Sequence, residues 1–312
     1  MDVVLVRAGA LGDVLLLRPT IAALRRAGRR VGLLAPAPGA VLVGSGRSEV
    51  ERAERWDGPA VAGLLSNGSS ECGPGSSDEP GASLDSVLRR ASVVIAYTRS
   101  LDVIQALRAR VKRLLVHDPS PPPEGPHAAA WLSRPLSDLG LSPETGPPPE
   151  LAFTDDEHAE AGALLTRLPP RFLAIHPGSG SPTKNWPAER FVTLARRLSR
   201  LPFLLVRGPA EQQAGDTDCV VARNLPLRVL GAVLARAGLF VGNDSGVSHL
   251  AAAAGAPTLA LFGPTDPRLW SPVGRRVRWL RAPDARLSEL TVESVEGAAL
   301  ELLSATSAAP TG

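Results

Sequence analysis

The feature that most limits what this chain can fold into is a unit that repeats along it: a short aliphatic run, a glycine-bearing loop, then a segment with helical spacing. Residues 3–6 (VVLV) form the first run. It ends in Arg7-Ala8-Gly9-Ala10, and Gly12-Asp13 opens a helical pattern through Leu15, Leu16, Ile21 and Leu24 to Gly28. Residues 31–35, 93–96 and 114–116 read as later strands, each following an Ala/Leu/Arg segment of helical character. Runs that are apolar at every position bury both faces. Separated by helices, they predict a parallel sheet covered on both sides.

Composition breaks divide the chain. Residues 66–83 (SNGSSECGPGSSDEPGAS) have the make-up of a solvated loop, and 118–124 (DPSPPPE) and 142–150 (SPETGPPPE) are proline-rich, with a helix-like stretch at 127–139 between them. The later proline run is the natural linker, since such segments are extended and semi-rigid, and it sets expected domains of 1–150 and 151–312. After it the pattern restarts: strand 172–175, loop HPGSGSPTKNW, helix 187–201, strand 203–206, loop GPAE. A helix around 226–237, strand 239–241, loop GNDSG, helix 247–254, strand 258–262 and loop GPTD follow. This predicts twin Rossmann-like domains facing each other across a cleft where loops from the carboxyl ends of strands meet.

Several function classes are excluded on composition. With 312 residues and 44% hydrophobic content, disorder is not the main state. The net charge of +3 is spread over scattered pairs such as Arg25-Arg26 and Lys112-Arg113, too weak a field for a nucleic-acid partner. Cys72 and Cys219 offer neither zinc spacing nor a disulfide framework, and the His residues at 117, 127, 158, 176 and 249 show no ligand spacing, so no metal is expected. G-x-S-x-G, H-E-x-x-H and C-x-x-C are missing, which removes the hydrolase, zinc protease and thioredoxin readings. AGALGD lacks the G-x-G-x-x-G spacing and VGLLAP carries no acid for a ribose, so no nicotinamide or flavin cofactor is expected in the amino-terminal half. The apolar start is crossed by Asp2, Arg7 and Asp13, unlike a secretory signal. No stretch reaches the roughly 18 to 20 uncharged apolar residues of a membrane span, so a cytoplasmic location is expected.

Three loops could carry chemistry. In HPGSGSPTKNWP, Gly178, Ser179, Gly180 and Ser181 leave backbone N–H groups available before a helix, and Lys184 adds a positive charge, which together suit phosphate. The competing account is a plain strand-to-helix turn with a solvated lysine. In VGNDSGVSHLAAAAGAP, Asp244 or Ser245 can simply cap the helix and His249 can satisfy a local carbonyl. The small Ser245 and Gly246 would equally let an anion approach the helix N-terminus. Two such loops in one domain suit a diphosphate. Asp13 is favoured by the helix dipole alone, yet facing a cleft it would also be a candidate general base.

Together, VRAGALGDVLLLRPTIAALR, IHPGSGSPTKNWPAERFVTLARRL, RGPAE and LFVGNDSGVSHLAAAAGAPTLALFGPTDPRLWSP resemble glycosyltransferase family 9, the ADP-heptose transferases of lipopolysaccharide core assembly. The resemblance implies a GT-B fold and metal-independent, inverting transfer from an ADP-sugar, with no cofactor. On that basis Asp13 is expected as catalytic base. Ser179, Gly180 and Lys184 would hold the diphosphate, Lys184 also acting in catalysis; Glu211 would grip the ribose, Asp244 the donor sugar, and Ser245, Gly246 and His249 would complete the donor site. The amino-terminal half would bind a lipopolysaccharide-core or other glycan acceptor, with Gly12, Arg18 and Arg99 nominated there. YTRSLD (97–102) stands where relatives more often carry a D-x-Q-G-like segment. A monomer is expected, and peripheral contact with the inner membrane surface is compatible with such an acceptor. The alternatives are another nucleotide-sugar enzyme of GT-B fold, or an inactive nucleotide-sugar binder.

Overall fold

The structure is a computed structural model that describes residues 1–44, 49–58, 84–143, 146–198, 202–208 and 219–307. Its contacts divide into two units, Met1–Glu124 with Ala128–Thr145, and Gly125–His127 with Gly146–Gly312.

In the first unit, β1 (Val3–Arg7), β2 (Val31–Ala35), β3 (Arg52–Arg55), β4 (Val93–Tyr97) and β5 (Leu114–His117) form a sheet in the order β3-β2-β1-β4-β5. All its pairings are parallel. The central strands are buried at every residue, whereas the edge strand β3 (RAER) is half-exposed and charged, as an edge that must not recruit another strand should be. The expected single helix from Gly12 to Gly28 is two helices, α1 (Leu11–Leu15) and α2 (Arg18–Arg26). Pro19 explains the break: lacking an N–H, it belongs in a first turn, and it opens α2. Helices α3 (Ala37–Gly44), α4 (Leu84–Arg90), α5 (Leu101–Arg108) and α6 (Ala128–Leu132) complete the described part of this unit, with a 3-10 turn at Arg134–Leu139.

The second unit repeats the design. It contains β6 (Leu173–His176), β7 (Phe203–Arg207), β8 (Cys219–Arg223), β9 (Leu239–Asn243), β10 (Thr258–Phe262) and β11 (Val277–Arg281), ordered β11-β10-β9-β6-β7-β8 and again parallel in every pairing. Its helices are α7 (Asp155–Leu165), α8 (Ala188–Leu198), α9 (Leu227–Leu234), α10 (Gly246–Ala253), α11 (Pro267–Trp270) and α12 (Val292–Ser307). One core cluster gathers Trp186, Phe191, Leu205, Val241, Leu261, Leu290 and Ala299, so α8 and α12 cover one face of the sheet. Among the described residues no helix is long and apolar enough to cross a membrane.

Helix α7 is docked by one buried arginine. Thr154 and Glu157 form a capping box, Thr154 N–H donating to Glu157 Oε2 at 2.8 Å. Arg228 on α9 donates to the same carboxylate at 2.9 Å and to the Ala152 carbonyl at 2.7 Å. Burial alone would raise the Glu157 pKa, but the hydrogen bonds from Arg228 and Thr154 outweigh it and hold the carboxyl below its ordinary value. A lowered native pKa means stability that is present above the unfolded value and lost as pH falls through the native one. Glu157→Gln should therefore cost about 1–3 kcal/mol at neutral pH. In thermal melts its Tm deficit should shrink as pH drops below about 4. A deficit independent of pH would mean that the charge of Glu157 contributes nothing.

Candidate active site

In an open parallel sheet the place for a ligand is the switch point, where adjacent strands send their carboxyl-end loops to opposite sides and leave a crevice. In the second unit that point lies between β6 and β9, and the loops leaving it are 177–187 and the Asp244-Ser245 turn before α10. In the first unit it lies between β1 and β4, whose exits carry Arg7 to Ala10 and Thr98 to Ser100. The loops singled out in the sequence thus emerge at the two switch points.

Within the second unit, Lys184 Nζ donates to Asp244 Oδ2 at 2.7 Å, joining loops sixty positions apart. The lysine is one-third exposed and the aspartate nearly buried. Lys184 ends a short 3-10 turn, Pro182–Lys184, and its reach is set from below by Asn243 at the end of β9. Asn243 is fully buried; its Nδ2 donates to the Pro177 carbonyl at 2.6 Å and its Oδ1 accepts from Trp186 N–H at 3.0 Å, so one amide pins both ends of the lysine loop. Trp186 then anchors the loop in the core through Nε1–H to the Leu290 carbonyl at 2.8 Å. Ser179 turns its hydroxyl inward onto the Ser181 carbonyl at 2.7 Å, and a Cβ at Gly180 would meet nothing within 4 Å, so the loop's outer side has room there.

Ser245 caps α10 by accepting from Ser248 N–H, and Gly246 is the first residue of that helix. His249 is buried in its first turn. At Gly242 a Cβ would stand 2.8 Å from the Phe240 ring and 3.0 Å from Ser248 Oγ; glycine is what lets α10 start so close to β9. Glu211 lies outside the described residues, as do residues 66–83. No group of three His, Cys, Asp or Glu side chains among the described residues is placed to hold a metal ion.

In the first unit, Asp13 sits in the first turn of α1 and reaches back. Its Oδ1 accepts from Arg7 Nη2 at 2.6 Å and its Oδ2 from Ala10 N–H at 2.8 Å. A Cβ at Gly9 would lie 2.7 Å from Asp13 Oδ2, so only glycine leaves the carboxylate this position. Gly12 is the second residue of α1. Arg99, exposed after β4, is bound to Asp118 at 2.7 and 2.9 Å and holds that carboxyl below its ordinary pKa. Arg18, expected as an acceptor contact, is 2% exposed and bidentate on Glu49, at 2.6 and 2.8 Å. Arg7 and Asn243 were not singled out from the sequence, although each leaves a signal: a polar residue ending an otherwise apolar buried strand.

Two parallel α/β units, each with a polar loop cluster at its switch point, are the architecture of the GT-B fold. A family model described as glycosyltransferase family 9 (heptosyltransferase) matches residues 139–299, and the chain belongs to that family. Over 158 residues it is 30% identical to lipopolysaccharide heptosyltransferase 1 of Escherichia coli O18:K1:H7, covering 46% of this chain and 48% of that protein. The chain thus spans about half the length of the curated relatives it matches. The fold is similar to that of a glycosyltransferase family 9 protein from Veillonella parvula (TM-score 0.77, 20% identity, 97% of each chain). It is also similar to that of E. coli heptosyltransferase WaaC solved with ADP (TM-score 0.69, 20% identity, 97% of this chain and 100% of that one).

Proposed function

We propose that the protein transfers a heptose or related sugar from an ADP-sugar to a hydroxyl of lipopolysaccharide core or another glycan, with inversion and without a metal. The observation that carries this reading is the Lys184–Asp244 pair, formed by two loops at the switch point of the second unit and next to the N-terminus of α10. In this reading residues 151–312 hold the donor. Lys184, the 179–180 backbone and the α10 N-terminus with Ser245 and Gly246 take the diphosphate, Asp244 and His249 face the sugar, and Glu211 takes the ribose. Residues 1–150 hold the acceptor, with Asp13, Gly12 and Arg99 beside it.

The chemistry balances on these groups. The acceptor oxygen attacks the anomeric carbon from the face opposite the leaving group, and its proton passes to the Asp13 carboxylate. The bond from that carbon to the phosphate oxygen breaks with its electron pair leaving on ADP. Negative charge grows on the diphosphate as the bond breaks, so a lysine and a helix N-terminus stabilise the transition state more than the ground state. The adenine base is suggested by the relative solved with ADP, and the acceptor class by the relatives named for lipopolysaccharide. The protein would work as a monomer in the cytoplasm, touching the inner membrane surface only where its acceptor lies.

Thermal melts with ADP, UDP, GDP and CMP and their sugars test the donor assignment. ADP-linked compounds should raise Tm, by an amount equivalent to roughly 2.7 kcal/mol at about 100 times Kd. Stabilisation by another nucleotide but not by ADP would replace the base; none by any of them would remove the donor site.

A further inference from the structure

Arg7 closes β1, a strand otherwise made of Val3, Val4, Leu5 and Val6, all buried. It is itself only 3% exposed, and its neighbour in register on β4 is the buried Tyr97. The hydroxyl of Tyr97 donates to the Leu132 carbonyl at 2.7 Å. One guanidinium nitrogen of Arg7 reaches Asp13, while its Nε is buried with no hydrogen-bond partner. A buried arginine with an unmet donor is a poor choice for stability, where an aliphatic residue would continue the strand at no such cost. What it does achieve is directional. Arg7 approaches Asp13 Oδ1 and Ala10 N–H approaches Oδ2, so the carboxylate is held from both oxygens, and its partly exposed side is left to accept from a ligand.

We propose that Arg7 is the positioning residue of the reaction: it fixes the Asp13 carboxylate in the orientation that receives the proton of the acceptor hydroxyl. This rests on the reading of Asp13 as the base. Arginine, and not merely a cation, is required, because a guanidinium N–H has a fixed direction whereas an ammonium is a rotatable point charge.

The test uses the full chain, with ADP-heptose and a heptose-deficient lipopolysaccharide core as substrates and ADP release as readout. Arg7→Met should lower kcat about 10- to 100-fold with KM for ADP-heptose unchanged, and Arg7→Lys should recover part of the loss. Introduced into Asp13→Asn, Arg7→Met should lower kcat no further, because a residue acting only through Asp13 has nothing left to orient. A purely structural role would instead add its loss in both backgrounds, and that result would overturn the proposal. If Arg7→Met does not fold, Arg7→Lys carries the test, and unchanged kcat there overturns the requirement for a guanidinium. Near-native kcat in Asp13→Asn would sink the base reading, whereas a disabled Asp13→Asn beside a fully active Arg7→Met would sink the positioning role alone. A crystal structure of whichever Arg7 variant folds gives a readout independent of activity: the Asp13 carboxylate should swing out of its present position, and finding it unmoved refutes the proposal.

Discussion

Asparagine in place of Asp13 is expected to lower turnover by roughly 10² to 10⁴ while leaving ADP affinity where it was, the usual contribution of a positioned general base. The geometry makes this substitution more informative than a simple change of cap. Both carboxylate oxygens accept, one from Arg7 and one from Ala10 N–H, and an amide has a single oxygen for the two donors. Asp13→Asn must therefore leave one donor facing an NH2 group, with a stability loss of about 1–3 kcal/mol whichever role the residue plays. A fall in Tm alone decides nothing. If Asp13 only ties α1 to β1, turnover per folded molecule stays near native once the melt is accounted for. If it takes the acceptor proton, turnover collapses in protein that is still folded. Turnover, Tm and ADP affinity measured on one preparation separate the two.

What could be read from the sequence, and what could not, follows the range of the interactions involved. Central strands such as β4 (VVIAY) and β10 (TLALF) are buried at every position and aliphatic at most of them because both faces are covered, and that pattern is local. The edge strands β3 (RAER) and β11 (VRWLR) carry charges on their solvated side, so no apolar run betrays them. The helix expected from Gly12 to Gly28 breaks in two because Pro19 marks a new first turn. At the sites, the loops carrying Asp13, Lys184 and Asp244 were legible because glycine, serine and charge cluster there. Their partners were not: Lys184 meets Asp244 across sixty positions and Arg18 meets Glu49 across thirty-one, contacts that only the completed sheets create. For the same reason the sequence does not show that Arg18, nominated beside the acceptor, is a buried half of an ion pair.

Lys184→Ala is expected to weaken ADP binding by about 10- to 100-fold or more, the loss that accompanies removal of one charged hydrogen bond worth roughly 1.5–3 kcal/mol. The pairing with Asp244 adds a second part to the effect. The lysine neutralises a carboxylate that is only 9% exposed and sits at the start of α10. Without Lys184 that negative charge remains, in the region proposed for the diphosphate, and repels it. Asp244→Asn combined with Lys184→Ala should then bind ADP more tightly than Lys184→Ala alone, although still less tightly than the unsubstituted protein. An exposed lysine that merely decorates a turn predicts something different, namely unchanged affinity in both variants. A lysine that acts only by shaping its loop predicts a loss that Asp244→Asn cannot relieve, since removing the carboxylate does not restore the tie between the two loops. Calorimetric titration of ADP into the three variants and the native chain distinguishes these cases. Salt sharpens the distinction, because repulsion between Asp244 and the diphosphate weakens as ionic strength rises, so the gap between Lys184→Ala and the double variant should narrow in high salt.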